Sequence, residues 1–191
     1  MADTPAKPTL LDLAKIRFVD DISPAEKKLF EATEKGERVD CGEDSGERGI
    51  IRSDRFSWLC TDPHAAAYVT YRGVSIVRAK IEDEVDLQWA NISFPLRIRH
   101  CVLTKAIILQ NSHLLSLDLA ETSIRNLRAE NLVTKRDVAL SAGFEAEGTV
   151  DLTGGKIGGN LDCTGGKFVN KSEAQSFIAL SAKVEGNVFF A

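Results

Sequence analysis

The chain is poor in the features that usually announce a function. Its 191 residues hold one methionine, two tryptophans, two tyrosines, five prolines and four cysteines. No run approaches the eighteen apolar residues of a membrane span. The start, Met1-Ala-Asp-Thr-Pro5, lacks the basic and apolar regions of a secretory leader. The cysteines, Cys41, Cys60, Cys101 and Cys163, form no CxxC pair and lack the close His and Cys spacing of zinc sites. These absences predict a cytoplasmic chain with free thiols, no membrane span, no metal and no cofactor. An excess of positive charge is missing too. The net charge is −4; residues 1–71 carry 10 basic against 14 acidic side chains, and residues 72–191 carry 14 against 14. A neutral mixed surface argues against a nucleic-acid partner, which would need a basic field.

What is present is a repeat. From Val74 onward an apolar-x-apolar pair returns about every eleven residues: Val74/Ile76, Val85/Leu87, Leu96/Ile98, Ile107/Leu109, Leu117/Leu119, Leu127/Ala129, Val138/Leu140, Val150/Leu152, Leu161/Cys163, Ile178/Leu180 and Val188/Phe190. Successive openings lie 11, 11, 11, 10, 10, 11, 12, 11, 17 and 10 residues apart. A small residue two places before a larger apolar one usually follows, as in Ala79/Ile81, Cys101/Leu103 and Thr122/Ile124. Such a period is the mark of a stacked repeat architecture.

Side chains alternate across a strand, so each pair points one way and its middle residue the other. The middle residues Asp86, Arg97, Asp118, Asp151 and Asp162 are charged, as an outer face requires. Two units complete one roughly square coil. The expected fold is therefore mainly β, a right-handed parallel quadrilateral β-helix over residues 71–191. It has about five coils spaced about 4.8 Å apart. Leucine-rich repeats need longer units and a fixed asparagine. Residues 1–70 are expected to form a short α-helical cap over the first coil, whose edge and apolar end need a cover; a separate helical domain is the alternative. Leu10 to Phe18 reads as a short helix or an extended docking segment. Ser23-Pro-Ala-Glu26 opens a helix with a capping box, and Gly36 stops it. Asp40 to Gly49 reads as a loop, Ser53 as the cap of a helix to Cys60, and Thr61 to Val69 as a further helical turn.

Ala90-Asn-Ile-Ser-Phe94 resembles the A-(D/N)-L-x-x unit of pentapeptide-repeat proteins, and Arg128-Ala-Glu-Asn-Leu132 is one residue longer. The chain is thus similar to a degenerate pentapeptide-repeat-like solenoid. Three stretches, Ile51-Arg-Ser-Asp-Arg-Phe-Ser-Trp-Leu-Cys-Thr-Asp-Pro63, Phe94-Pro-Leu-Arg-Ile-Arg-His-Cys101 and Ile157-Gly-Gly-Asn-Leu-Asp-Cys-Thr-Gly-Gly-Lys-Phe168, resemble a bacterial family of such solenoids. The resemblance covers about residues 45–191 and implies the fold. Some members of that family are labelled membrane-associated oxidoreductases. No membrane segment or cofactor signature in this sequence gives the label a place.

The chemistry-bearing candidates read mostly as structure. Gly148 to Lys167 contains three glycine pairs, but Lys156 and Lys167 are followed by Ile157 and Phe168, so the hydroxyl of a phosphate loop is missing. These glycines are expected at coil corners that need positive φ. The acidic run Glu82 to Asp86 could hold calcium or mimic phosphates, but Arg78, Lys80, Arg97 and Arg99 should offset it. His64, His100 and His113 are expected on the surface. The polar excursion 169–176 holds one acid, Glu173. The final unit, Phe189-Phe-Ala191, leaves an apolar half-coil; the expectation is a fragment of a longer protein or an end that pairs with another chain. Pentapeptide-repeat proteins, many of which dimerise through their last coils, imply a homodimer. The functional expectation is a non-catalytic scaffold or protein-interaction module. Its contact residues would be Phe56, Trp58 and Tyr68 near the start and Phe189 and Phe190 at the end. The alternatives are a nucleic-acid mimic that binds a DNA-handling enzyme such as gyrase, or an oxidoreductase.

Overall fold

A computed structural model of the chain describes residues 7–19, 21–43, 45–170 and 175–190. It is a parallel β-solenoid with a helical N-terminal cover. One inward column runs Val74, Leu96, Leu117, Val138, Leu161, Val188, each residue beside the next in register. The chain therefore returns to this face after 22, 21, 21, 23 and 27 residues. A second column runs Ile51, Ile81, Leu103 and, one rung on, Ile124, Ala146 and Phe168. A third runs Val85, Ile107, Leu127, Val150, Phe177, and a fourth Ile92, Leu114, Thr134, Ile157, Val184. Four faces follow, two eleven-residue units to the coil. The first and fourth belong to one sheet, because strand Asn91–Arg99 and strand His113–Asp118 run unbroken round the corner between them.

Period-two alternation decides the interior. Both members of every apolar pair from Val74/Ile76 to Leu161/Cys163 are buried, and they join one continuous core that reaches from Leu10 to Cys163. Size is balanced within faces. Where the small position carries a large residue, Leu132 or Phe144, the neighbour two places on shrinks to Thr134 or Ala146, and all four are buried. A close-packed interior tolerates only such compensated exchanges.

The N-terminal segment is less helical than expected. α1 (Leu10–Phe18) and α2 (Pro24–Lys35) have complete capping boxes from Thr9 and Ser23, and Gly36 ends α2 in the left-handed region. After them come β1 (Val39–Asp40) and β2 (Gly49–Arg52). β1 lies parallel on β3 (Val74–Val77), and β2 on β4 (Ala79–Glu82). Strands thus join the stack ahead of Val74, and the span read as the loop Asp40 to Gly49 begins and ends in strand. The reason is the unpaired backbone of the first full coil, which two strands satisfy where helices could not. α3 (Ser53–Thr61) lies against β5 (Val85–Asp86). Its N-cap is Arg52, without a side-chain cap bond, not Ser53. β2 runs straight into the helix, and the Arg52 N–H is taken by Glu26 Oε1 at 2.9 Å. α4 (Pro63–Ala66) is capped by Asp62.

Two further expectations change. Phe177 pairs with Val150 and Ile178 with Asp151. Phe177 thus takes the inward place assigned to Ile178, and Leu180 is exposed. The excursion before Phe177 resets the parity of the strand, and a one-residue slip exchanges every inward and outward side chain. Among the glycines read as positive-φ corners, only Gly154 and Gly165 have positive φ. Gly155, Gly158, Gly159 and Gly166 serve close stacking instead: a Cβ on any of them would come within 3.0 Å of another group, for example 2.5 Å from the Leu140 carbonyl at Gly166.

Candidate functional site

The N-terminal aromatics are consumed by the fold. Phe56 is 0% exposed, in the core beneath α3. Trp58 meets Phe18 and Phe30 edge-on at 5.3 and 5.7 Å. Tyr68 donates its hydroxyl to the Pro8 carbonyl at 2.7 Å, and Lys7 lies over its ring. Phe56 is thus closed to a partner, while Trp58 and Tyr68 are half-buried and keep part of their surface at the solvent. They tie α1, α2 and the chain ahead of α1 to the solenoid.

An ionic knot holds the same cover. The Glu26 side chain is fully enclosed and accepts from the Ser23 N–H at 2.7 Å, the Arg52 N–H and the Arg52 guanidinium. Burial pushes its pKa up, but these donors outweigh burial and hold it below the ordinary carboxylate value. Arg55 bonds Asp21 and Asp54 and lies over the Phe18 ring at 4.3 Å.

The acidic run is balanced differently from the expectation. Within the run, Lys80 pairs with Glu82 at 2.8 Å. Arg78 binds Asp40 through two bonds, Arg99 binds Asp118, and Arg97 donates to the Arg72 carbonyl. His64, His100 and His113 are exposed, and His100 Nδ1 lies 3.3 Å from Glu121. Among the described residues no group of three or more His, Cys, Asp or Glu could hold a metal. All four cysteines are free and buried. Burial pushes the thiols up, to about 12 for Cys41 and Cys163 and about 11 for Cys101. A buried thiol of that kind is a small core hydrophobe and a poor nucleophile. No described helix is long and apolar enough to cross a membrane.

The far end of the solenoid is different. Phe168, Phe177 and Phe190 form a cluster with centroids 5.1 to 6.3 Å apart, joined to the buried Phe144. Phe190 follows the inward column of Leu140 and Cys163, yet it is 55% exposed. Phe189 points outward beside Asp162. Val188 and Leu180 are exposed as well. Among the described residues, strands Lys167–Phe168, Phe177–Ile178, Lys183–Val184 and Val188–Phe189 are each paired on one side only. Apolar interior and unpaired backbone thus coincide on one surface. The excursion contributes Asn170, which donates to Thr149 Oγ1 at 3.0 Å; residues 171–174, with Glu173, lie outside the described residues.

Sequence reading found Phe189 and Phe190 but missed Leu180, whose parity depends on the excursion. It also missed Trp89. The available signal was positional: Trp89 stands where later coils carry Asn111, Asn131, Gly154 and Ser181, all with positive φ. Comparisons with protein-family models, with curated proteins and with solved structures find no match for this chain.

Proposed function

We propose that this chain is a non-catalytic β-solenoid that works by protein–protein contact, and that its aromatic end docks a second copy. The observation that carries the reading is the coincidence of exposed Phe190, Val188 and Leu180 with four one-sided strands. Exposed contiguous apolar surface and open strand edges are each rare on monomers and mark interaction sites. Only another extended backbone supplies both apolar cover and ladder hydrogen bonds. The edge is also self-complementary in charge. Lys183 and Glu185 flank Val184, so an antiparallel pair centred on Val184 sets each Lys183 opposite Glu185 of the second copy. The resemblance to pentapeptide-repeat solenoids, many of which dimerise in this way, supports the same reading. Four free buried thiols fit a reducing compartment, and we place the protein in the cytoplasm.

The rival reading as a nucleic-acid mimic needs acids down one face. The outward column of the first face instead runs Ser75, Arg97, Asp118, Ala139, Asp162, Phe189. Light scattering across a micromolar concentration series tests the proposal. Twice the chain mass is expected for the native sequence, with the monomer mass for Val188→Glu and Phe190→Asp while circular dichroism shows the β-solenoid still folded. A native chain that stays monomeric throughout overturns it.

A further inference from the structure

Trp89 occupies a place where tryptophan is costly and buries almost nothing. Its φ is 61°, the left-handed conformation that corners of this solenoid also give to Arg78, Asp83, His100, Asn111, Glu121, Asn131, Ala142 and Ser181, and the residue is 73% exposed. The turn is closed by the Ala90 N–H on the Leu87 carbonyl at 3.1 Å, and the next coils repeat it with Asn111 and Asn131 at the same position. Folding gains nothing evident from an indole there. An indole so exposed is open to a ligand.

The surroundings say what kind. By register, Asn91 lies beside His113, and the Trp89 N–H donates to the Gln110 carbonyl at 3.0 Å, so Trp89 stacks on the Gln110–Asn111 turn. Gln88, Asn91, Gln110, Asn111 and His113 thus share this corner by sequence and register, bordered by Asp86, Glu130 and, beyond His113, Lys135. Their amides are oriented from behind. Gln88 Nε2 donates to Asp86 at 2.9 Å and Gln110 Nε2 to Glu130 at 2.9 Å, which leaves both Oε1 atoms as acceptors. Asn131 Nδ2 donates to Asn111 Oδ1 at 3.1 Å, which leaves the Asn111 amide hydrogens as donors.

We propose that this corner, Trp89 with Asn91, Asn111, His113 and the amides of Gln88 and Gln110, binds a neutral carbohydrate chain. An indole is a flat apolar platform for the C–H face of a pyranose ring, while fixed amide donors and acceptors suit its hydroxyls. Two acids and the single Lys135 make no cationic field, which disfavours nucleic acid and other polyanions. A protein anchor would sit in an apolar pocket, whereas amides ring Trp89. The site stands four coils from the aromatic end, on the order of 19 Å along the axis at about 4.8 Å per coil, and is independent of the docking proposed there.

The test is native affinity electrophoresis through gels containing hydroxyethylcellulose, xylan, galactomannan or amylopectin, with tryptophan emission titrated by the matching hexaoses. Retardation in at least one gel is expected, at least tenfold weaker for Trp89→Ala and retained by Trp58→Phe. The emission change should vanish in Trp89→Ala, because Trp58 is enclosed by Phe18 and Phe30. Trp89→Asn, which suits the backbone, should melt no lower than the native chain, so lost binding cannot be lost folding. No retardation in any gel, or equal retardation of Trp89→Ala, overturns the proposal. So does a Trp89→Ala variant that alters only the mass in solution, which would make the corner a protein contact.

Discussion

Asn160 accepts the backbone N–H of Asn187 through its side-chain Oδ1 at 2.8 Å, one coil after Asp137 accepts the N–H of Asn160 in the same way at 2.7 Å. The corner between the fourth and first faces is thus a ladder of side-chain acceptors set between backbone bonds, such as Gly186 N–H to the Gly159 carbonyl and Leu161 N–H to the Asn187 carbonyl, both at 2.9 Å. Asn160→Leu should cost about 1 kcal/mol in urea unfolding, the net worth of such a bond. Asn160→Asp should keep most of it. Equal losses for both would remove the ladder from the account.

Leu119 and Leu152 are buried, while Leu180 is exposed despite the same apolar-x-apolar context. Leu119→Ala and Leu152→Ala should each cost about 2–5 kcal/mol. Leu180→Ala should stay within about 0.5 kcal/mol. Comparable losses at all three sites would restore the parity that the sequence pattern suggests.

The glycines divide by cause. Gly154 has φ 68°, in the column where Asn111 and Asn131 adopt the same conformation, and the nearest group to an added Cβ is the Asn131 amide. Gly154→Asn should therefore change stability by no more than about 0.5 kcal/mol. Gly155→Val and Gly166→Ala meet carbonyls at 2.9 and 2.5 Å and should cost about 1–3 kcal/mol in thermal melts.

Glu26 links stability to pH. Its folded pKa lies below the ordinary 4.5. A depressed carboxyl contributes stability that is fully present above its unfolded pKa and is lost as pH falls through the folded one. Stability should therefore drop as pH falls below 4.5. Glu26→Gln should flatten that part of the profile and cost about 1–3 kcal/mol at neutral pH, since Arg52 loses its enclosed carboxylate and keeps only the exposed Asp21. A profile unchanged by Glu26→Gln would assign the acid sensitivity elsewhere.

The four thiols should not react with an aromatic disulfide reagent at pH 8 in the native state, because all four are buried and raised by that burial. Four equivalents should react after urea. Rapid native labelling of even one would show that its wall of the core opens.

Much of the fold is legible because its rule is local. Alternation across Val74/Ile76 or Leu117/Leu119 can be read without knowing the neighbouring coil. The capping box at Ser23 is equally local, as is the stop at Gly36. What escaped was relational. Phe177 and Leu180 depend on how residues 169–176 return the chain to the stack. Ser53 lost its cap role because Arg52 is pinned by Glu26, 26 residues earlier. Of the candidate contact residues, Phe189 and Phe190 are exposed and Phe56 is buried, while half-buried Trp58 and Tyr68 meet partners from α1, α2 and Pro8 that no local pattern names.

By itself the sequence determined that this chain winds as stacked β-coils around an aliphatic column, because inward and outward choice within a strand is a matter of parity over two residues. Only the tertiary structure decided which aromatics are spent inside and which face water. Exposure is a property of what lies on the next coil, and Phe144 and Phe190, both inward, differ only in having or lacking that cover.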